Sequence, residues 1–247
     1  MRSQLSDIIS IVGQDLVTST ATQAHNLGSY AETVDGRGFR YVLVGATATV
    51  PGKVYQSVAT LDATNYQPVG GLGVNAAVAA GGNTVVTSTS TTWTANALAN
   101  GYLLTDVTPG QGYVLGIKSN AATSAAAGGS ITVDDTFPVA LTTSSKFVVV
   151  PNPYNGIVVM PTSPTGIPVG VATGTIITAA QYGWIQTHGV AGVLSGVATS
   201  VTSSVPVTNS AATAGSTIVA TAVLPALGYA MHTFTATEYQ FVFLTID

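Results

Sequence analysis

The chain has 247 residues, enough for one large or two smaller all-β domains, and only 6% of them are charged, against about 25% in an average soluble domain. Its six basic residues are too few to build a phosphate-binding surface, so the composition argues against nucleic-acid binding. The absence of cysteine excludes a disulfide framework, a thiolate metal site and a cysteine nucleophile.

The few charges are unevenly spread, since no Lys, Arg, Asp or Glu occurs between Lys146 and Glu238. A weakly charged chain has little repulsion to keep it away from its neighbours. The sequence lacks the roughly 20 consecutive apolar residues of a membrane-spanning helix, and Met1–Leu16 lacks the apolar core of a secretory signal. We therefore expect no membrane partner, and we expect the protein to stay in the cytoplasm until it joins an assembly.

The N-terminal residues 1–34 are predicted to form an extended arm. Apolar residues spaced near i, i+3, i+4 and i+7 predict a short amphipathic helix over 3–16. Residues 18–26 (TSTATQAHN) are polar and irregular, which is typical of a segment that becomes ordered by lying on another surface. The rest of the chain, 35–247, is predicted to be a β-rich domain, with a division into two subdomains near 60–100 as an alternative.

From Asp35 onward the pattern is that of short strands separated by turns. The stretch VDGRGFRYVLVGA (34–46) combines a glycine turn with a strand whose Phe39, Tyr41 and Leu43 share one face. Similar strand-like runs follow between Gly- and Pro-containing turns, which predicts an all-β fold built as an antiparallel sandwich or barrel. The clearest runs are Thr84–Trp93, Tyr102–Val107, Gly112–Ser119, Ser130–Asp134, Lys146–Val150 and Gly156–Met160.

The stretch QYGWIQTHGVAGVL (181–194) predicts a strand with two apolar faces. Alternation places Tyr182, Trp184, Gln186 and His188 on one face and directs Ile185 to the other. We interpret the Ile185 face as core and the Tyr–Trp face as a second surface, covered by a neighbouring subunit. Downstream, the Ala/Thr/Ser-rich residues 195–222 are compatible with either a surface loop or a strand pair.

The C-terminal stretch MHTFTATEYQFVFLTID (231–247) also predicts a strand. Tyr239, Phe241 and Phe243 alternate with Gln240 and Val242, so the three aromatic rings share one face. Its aromatic density predicts that this strand closes the sheet.

No group of residues carries a recognisable catalytic pattern, so we expect no enzyme, no cofactor and no metal site. The sequence contains no G-x-S-x-G motif, so no serine nucleophile is indicated that His188 could activate in a Ser-His-Asp hydrolase. Asp134 and Asp135 are adjacent, so on a strand they would point to opposite faces and could not flank one glycosidic bond. Glu32 and Asp35 border a glycine turn but lack the further carboxylates of a calcium site.

The one cluster of basic residues suggests a protein interface. Arginine and aromatic side chains are enriched at interfaces, and Arg37 and Arg40 alternate with aromatic residues on the first strong strand. A hairpin with two solvated arginines is the plainer interpretation. Our predicted inter-subunit contacts are Arg37, Arg40, Tyr41, Tyr182 and Trp184.

Four stretches, in the same order, resemble the capsid decoration or cement proteins of tailed bacteriophages. They are DGRGFRYVLVGATATVPGKVYQ (35–56), ANGYLLTDVTPGQGYVLGIKSNAA (99–122), FPVALTTSSKFVVVPNPYNGIVVMPTSPTGIPVGV (137–171) and QYGWIQTHGVAGVL (181–194). The resemblance implies a virion protein on the capsid exterior, usually a homotrimer. Such a protein would bind the major capsid protein and brace neighbouring capsomers, with no catalytic residue and no cofactor.

Three other functions stay open on the sequence alone. The chain could be another virion component, such as a head fibre or tail protein. It could be a bacterial surface module or adhesin, although it shows no export signal. A glycan-binding module or glycan-active enzyme is the third, weakened by the lack of a paired set of carboxylates.

Overall fold

A computed structural model describes residues 9–10, 16–58, 71–87, 92–123, 128–174, 176–196, 203–220, 226–233 and 237–247. The chain divides into two compact units. The first is built from Met1–Ala59 and Pro153–Asp247, and the second from Thr60–Asn152. The chain therefore passes between the units twice, near 59 and near 152, whereas the sequence suggested a single boundary near 60–100.

Eleven strands of the first unit, counted over the described residues, form one sheet. Along its main path the order is β1-β2-β3-β13-β17-β16-β14-β15, and β4, β11 and β12 join beside β13. The strands are β1 (Ile9–Ser10), β2 (Tyr30–Glu32), β3 (Gly38–Leu43), β4 (Val54–Gln56), β11 (Val158–Val159), β12 (Pro168–Val171), β13 (Tyr182–Leu194), β14 (Pro206–Asn209), β15 (Thr217–Val219), β16 (Gly228–Ala230) and β17 (Tyr239–Thr245).

The 13-residue strand β13 organises this unit. Its first half pairs antiparallel with β3, placing Trp184 opposite Tyr41, and its second half pairs with β17, placing Val190 opposite Phe243. Between the two halves the register shifts after Gln186, and Gly189 takes a positive φ of 80°. One long strand thus supports two different surfaces.

Both faces of the first half of β13 are buried. Ile185 packs in one cluster with Val42 of β3 and Tyr55 of β4, while Trp184 packs in another with Tyr41. In the second half, alternate residues are buried against β16 and β17 in a third cluster of buried residues: Val54, Met160, Val171, Ala191, Val193, Val207, Leu227, Ala230, Val242 and Leu244.

The second unit holds a six-stranded antiparallel sheet in the order β5-β10-β7-β8-β9-β6, counted over its described residues. An antiparallel bridge between Val74 and Thr87 joins the ends of the two outermost strands, so the sheet curls until its edges meet. Curling protects strand edges that would otherwise be free to pair. The strands are β5 (Leu72–Gly73), β6 (Thr84–Val86), β7 (Tyr102–Val107), β8 (Val114–Asn120), β9 (Ser130–Val133) and β10 (Lys146–Val150).

The inside of this curled sheet is a single apolar core. The core side chains come from every strand, because alternate residues of each strand point inward. They are Leu72, Val74, Val85, Trp93, Leu98, Leu103, Ile117, Ile131, Val133, Phe137, Leu141, Phe147 and Val149.

The all-β prediction is confirmed, since the named elements of the described residues are strands and every pair of strands is antiparallel except β1 with β2. The helix predicted over 3–16 is not formed at Ile9 and Ser10, which lie in a strand, and most of its other residues fall outside the described part. Within 195–222, the strand-pair interpretation is correct for β14 and β15. In the described ranges no helix is long and apolar enough to cross a membrane.

Candidate functional site

The three aromatic residues predicted at an inter-subunit contact form a cluster inside the first unit. Tyr41 stacks on Tyr182 with 5.9 Å between ring centres, and Trp184 meets Tyr41 edge to face at 5.1 Å. The imidazole of His25 completes the cluster, 5.1 Å from Tyr41 and 5.4 Å from Trp184. Tyr41 keeps 3% and Trp184 5% of its surface exposed. The surface they form is therefore already covered.

The cover is the segment that precedes β2. The backbones of Thr20 and Tyr182 exchange two hydrogen bonds, at 3.0 and 2.8 Å, and the backbone N–H of Ala24 donates to the hydroxyl of Tyr41 at 3.0 Å. Leu27 packs in the same apolar cluster. The second surface of Tyr41 and Trp184 is thus occupied by the chain's own N-terminal segment, and their contact with another subunit stays a prediction.

Arg40 joins distant parts of the first unit. Its Nε donates to the Asp247 carboxylate at 2.8 Å, its Nη1 donates to the carbonyl oxygen of Gly28 at 2.9 Å, and its guanidinium lies 5.0 Å from the ring centre of Tyr30. Burial alone would lower the pKa of Arg40, but the hydrogen bond and charge of Asp247 outweigh it and raise the pKa. Arg40 is thus bound within its own unit, and its predicted contact with another subunit stays a prediction.

Arg37 lies nearer the solvent. Its Nε pairs with Asp35 at 2.8 Å, and the two side chains are 36% and 59% exposed. Asp35 also accepts a hydrogen bond from the Thr33 hydroxyl, which together with Arg37 lowers the pKa of the carboxyl group. An exposed ion pair of this kind contributes little to the free energy of unfolding. Arg37 is therefore a surface residue with a small role in stability.

We expect Arg40→Ala to lower the free energy of unfolding of the first unit by about 1–2 kcal/mol, because two hydrogen bonds to a charged, half-buried group are lost. The matched variant Arg37→Ala should change it by less than about 0.5 kcal/mol. The measurement is urea unfolding followed by Trp184 fluorescence in a Trp93→Phe background, which removes the tryptophan of the second unit. Equal effects of the two variants would contradict the different roles assigned to the two arginines.

We call a group of six exposed residues the aromatic face. Five of them lie on β13, β16 and β17, and the sixth, Met231, directly follows β16. On β17 the burial alternates, so that Gln240, Val242 and Leu244 are buried while the aromatic residues between them point outward. Phe243 lies opposite both Val190 of β13 and Tyr229 of β16, which places these residues side by side. The face comprises Val190 (38% exposed), Tyr229 (49%), Met231 (48%), Tyr239 (59%), Phe241 (57%) and Phe243 (39%).

The sequence contained the signal for this face but not its orientation. The alternation of aromatic and smaller residues in 239–245 was predicted correctly, but the aromatic density was taken to mean that this strand closes the sheet, whereas β17 lies within the sheet between β13 and β16. The smaller side chains point inward, where Val242 and Leu244 pack against Ala191 and Val193. Burial on the opposite side leaves the larger rings exposed.

A groove of about 460 Å³ lies next to the aromatic face. Val190, Tyr239 and Phe241 belong to both, and the exposed Gly192 of β13 contributes to the groove as backbone alone. A Cβ atom placed on Gly192 would meet no other atom within 4 Å, so the lack of a side chain there keeps the groove open. The Asp35–Arg37 pair lies at this groove as well.

The residues considered for chemistry do not converge. Asp134 and Asp135 are both exposed just beyond β9, and His188 contacts the ring of Phe243 edge to face at 5.4 Å. Across the ranges that the structure describes, no three His, Asp or Glu side chains are grouped so as to hold a metal ion.

No protein-family model, no curated protein and no solved structure matches this chain. The aromatic face with its groove is therefore our candidate functional site.

Proposed function

We propose that this chain is a structural protein of a bacteriophage head that binds the capsid exterior and stabilises contacts between capsomers. The observation that carries the proposal is the aromatic face, because a protein that acts alone in solution rarely leaves so many neighbouring aromatic side chains exposed. The low charge and the four stretches resembling decoration proteins support the same function. On this proposal the chain is not an enzyme and acts only by contact.

Its mechanism would be the addition of many modest contacts. A protein fixed at several points gains affinity from the high effective concentration of each remaining contact. Small β-sheet units suit this task, since their surfaces are held rigid by the cores beneath them. Burial of apolar surface, rather than ion pairing, would supply most of the binding free energy.

The test is add-back of the purified protein to heads of the encoding phage that lack it. We expect saturable binding with cryo-EM density on the outside of the shell, and release of the packaged genome at a higher temperature after binding. Because few charges are involved, binding should change little between 50 and 500 mM salt, to within about threefold.

Three outcomes would contradict this function. Density confined to the tail or to head fibres would favour another virion component. Failure to bind heads together with binding to a glycan array would favour the glycan-binding module. Attachment to bacterial envelopes without attachment to heads would favour the surface module.

A further inference from the structure

The aromatic face is large enough to be an interface. Its four aromatic rings, each about half exposed, present on the order of 400 Å² of apolar surface. Together with Val190 and Met231 this reaches the upper part of the range for the largest patch on a monomeric protein, about 300–600 Å², where patches are often functional.

The face has two parts. Tyr229, Met231 and Phe243 lie on the β16 side, and we call them the ridge, while Val190 and Phe241 border the groove on the β13 side. A row of exposed side chains beside a groove on one surface allows two identical copies to fit together, each placing its ridge in the groove of the other.

We propose that the groove at Gly192 receives the Tyr229–Phe243 ridge of a second copy of this chain. This inference rests on the proposed structural function and identifies the surface of self-association, which differs from the cluster around Trp184 that the sequence indicated.

Electrostatics favours a second copy over a charged partner. The six residues of the aromatic face carry no charge, and the two charged residues that line the groove, Asp35 and Arg37, already neutralise each other. A surface without unpaired charge can meet its own copy with no repulsion between like charges.

Area and polarity point to the same occupant. Two copies of such a surface would bury roughly 1,000 Å² in total, which is about the minimum for a specific interface. A glycan would need polar groups to bind its hydroxyls. The six residues of the face offer the hydroxyls of Tyr229 and Tyr239, and among the polar side chains of the groove Asp35 pairs with Arg37 while Gln186 donates to backbone carbonyls. The Tyr239 hydroxyl already donates to the carbonyl oxygen of Pro51 at 3.2 Å.

The experiment measures the mass of the purified protein by sedimentation equilibrium from 1 to 100 µM. We expect a reversible oligomer for the unaltered chain. Gly192→Leu fills the groove, and Tyr229→Ser with Phe243→Ser removes the ridge; each should raise the dissociation constant at least about 30-fold, as expected for loss of one hot spot. Ile167→Ser, which alters a residue that is also 58% exposed but lies outside the face, should leave the constant within about twofold.

Because the chain has no cysteine, a single introduced thiol gives an independent test. Gly192→Cys paired with Phe243→Cys, mixed as two separate preparations, should cross-link through a short bismaleimide. Val34→Cys, placed at a fully exposed position outside the face, should not cross-link with either preparation.

A monomer at 100 µM would overturn the proposal, as would an oligomer that is changed neither by Gly192→Leu nor by Tyr229→Ser with Phe243→Ser. Glycan-array binding that Gly192→Leu abolishes would assign the groove to a glycan instead. The proposed function is judged separately, by add-back to heads: a monomeric protein that still binds heads contradicts only the self-association, and an oligomer that ignores heads contradicts only the capsid function.

Discussion

Tyr41→Ala should be the most destabilising change in the aromatic cluster, lowering the free energy of unfolding of the first unit by about 4 kcal/mol. The ring is 3% exposed and contacts Tyr182, Trp184 and His25. Its removal leaves a cavity and deprives the Ala24 N–H of its acceptor. Urea unfolding followed by Trp184 fluorescence in the Trp93→Phe background measures the loss.

The control is Tyr229→Ala, which removes the same ring from a position that is 49% exposed. We expect a loss below about 1 kcal/mol there, because most of that ring contacts solvent in the isolated chain. Tyr41→Phe should cost about 1 kcal/mol through the lost hydroxyl acceptor. If Tyr41→Ala instead left stability unchanged and abolished self-association, the prediction of Tyr41 as an inter-subunit contact would be supported.

Gly228→Ala should disrupt the pairing of β16 with β17 and cost about 3 kcal/mol. A Cβ atom on Gly228 would overlap the carbonyl oxygen of Phe243 and lie 2.9 Å from the Cα of Leu244. Both obstacles are backbone atoms of the neighbouring strand, so the strands must separate to make room. Hydrogen exchange at β16 and β17, measured beside urea unfolding, should show faster exchange there and little change in the second unit.

The matched variant is Gly192→Ala on β13, where the added Cβ meets open space. Its stability should stay within about 0.5 kcal/mol of the unaltered chain or rise slightly, because alanine restricts the unfolded chain more than glycine does. A cost at Gly192 equal to that at Gly228 would show that loss of glycine itself, rather than the approach of the Phe243 carbonyl, is responsible.

Local sequence pattern predicted four strands of the second unit to within two residues, but it missed β5 and extended β6 to Trp93, whereas the strand ends at Val86. Tyr102–Val107 and Lys146–Val150 were predicted with the bounds that the structure has, and Ser130–Val133 differs by one residue. Each run contains β-branched residues and has a glycine directly before it or a proline directly after it. Such signals are local and therefore readable without knowing what the strand pairs with.

The candidate site was less predictable. Trp184 lies opposite Tyr41 through pairing of strands about 140 residues apart in the sequence. The covering contact of Ala24 with Tyr41 comes from yet another part of the chain. Alternation identified an aromatic surface on β13, but it contains no information about which segment covers that surface. For the same reason it identified the aromatic side of β17 without showing that this side is exposed.

The sequence by itself determined that this protein is all-β and that β13 has two apolar faces, because a two-residue period can be recognised within a single strand. Its composition likewise determined that ionic contacts play a small part in its surfaces. Only the tertiary structure decided which apolar face is buried. The Trp184 face is covered by the chain's own N-terminal segment, while the Phe241 face has no such cover among the described residues. The physical reason is that burial depends on contacts between segments that are distant in the sequence. The alternation within one strand does not reveal which of its two faces another part of the chain will cover.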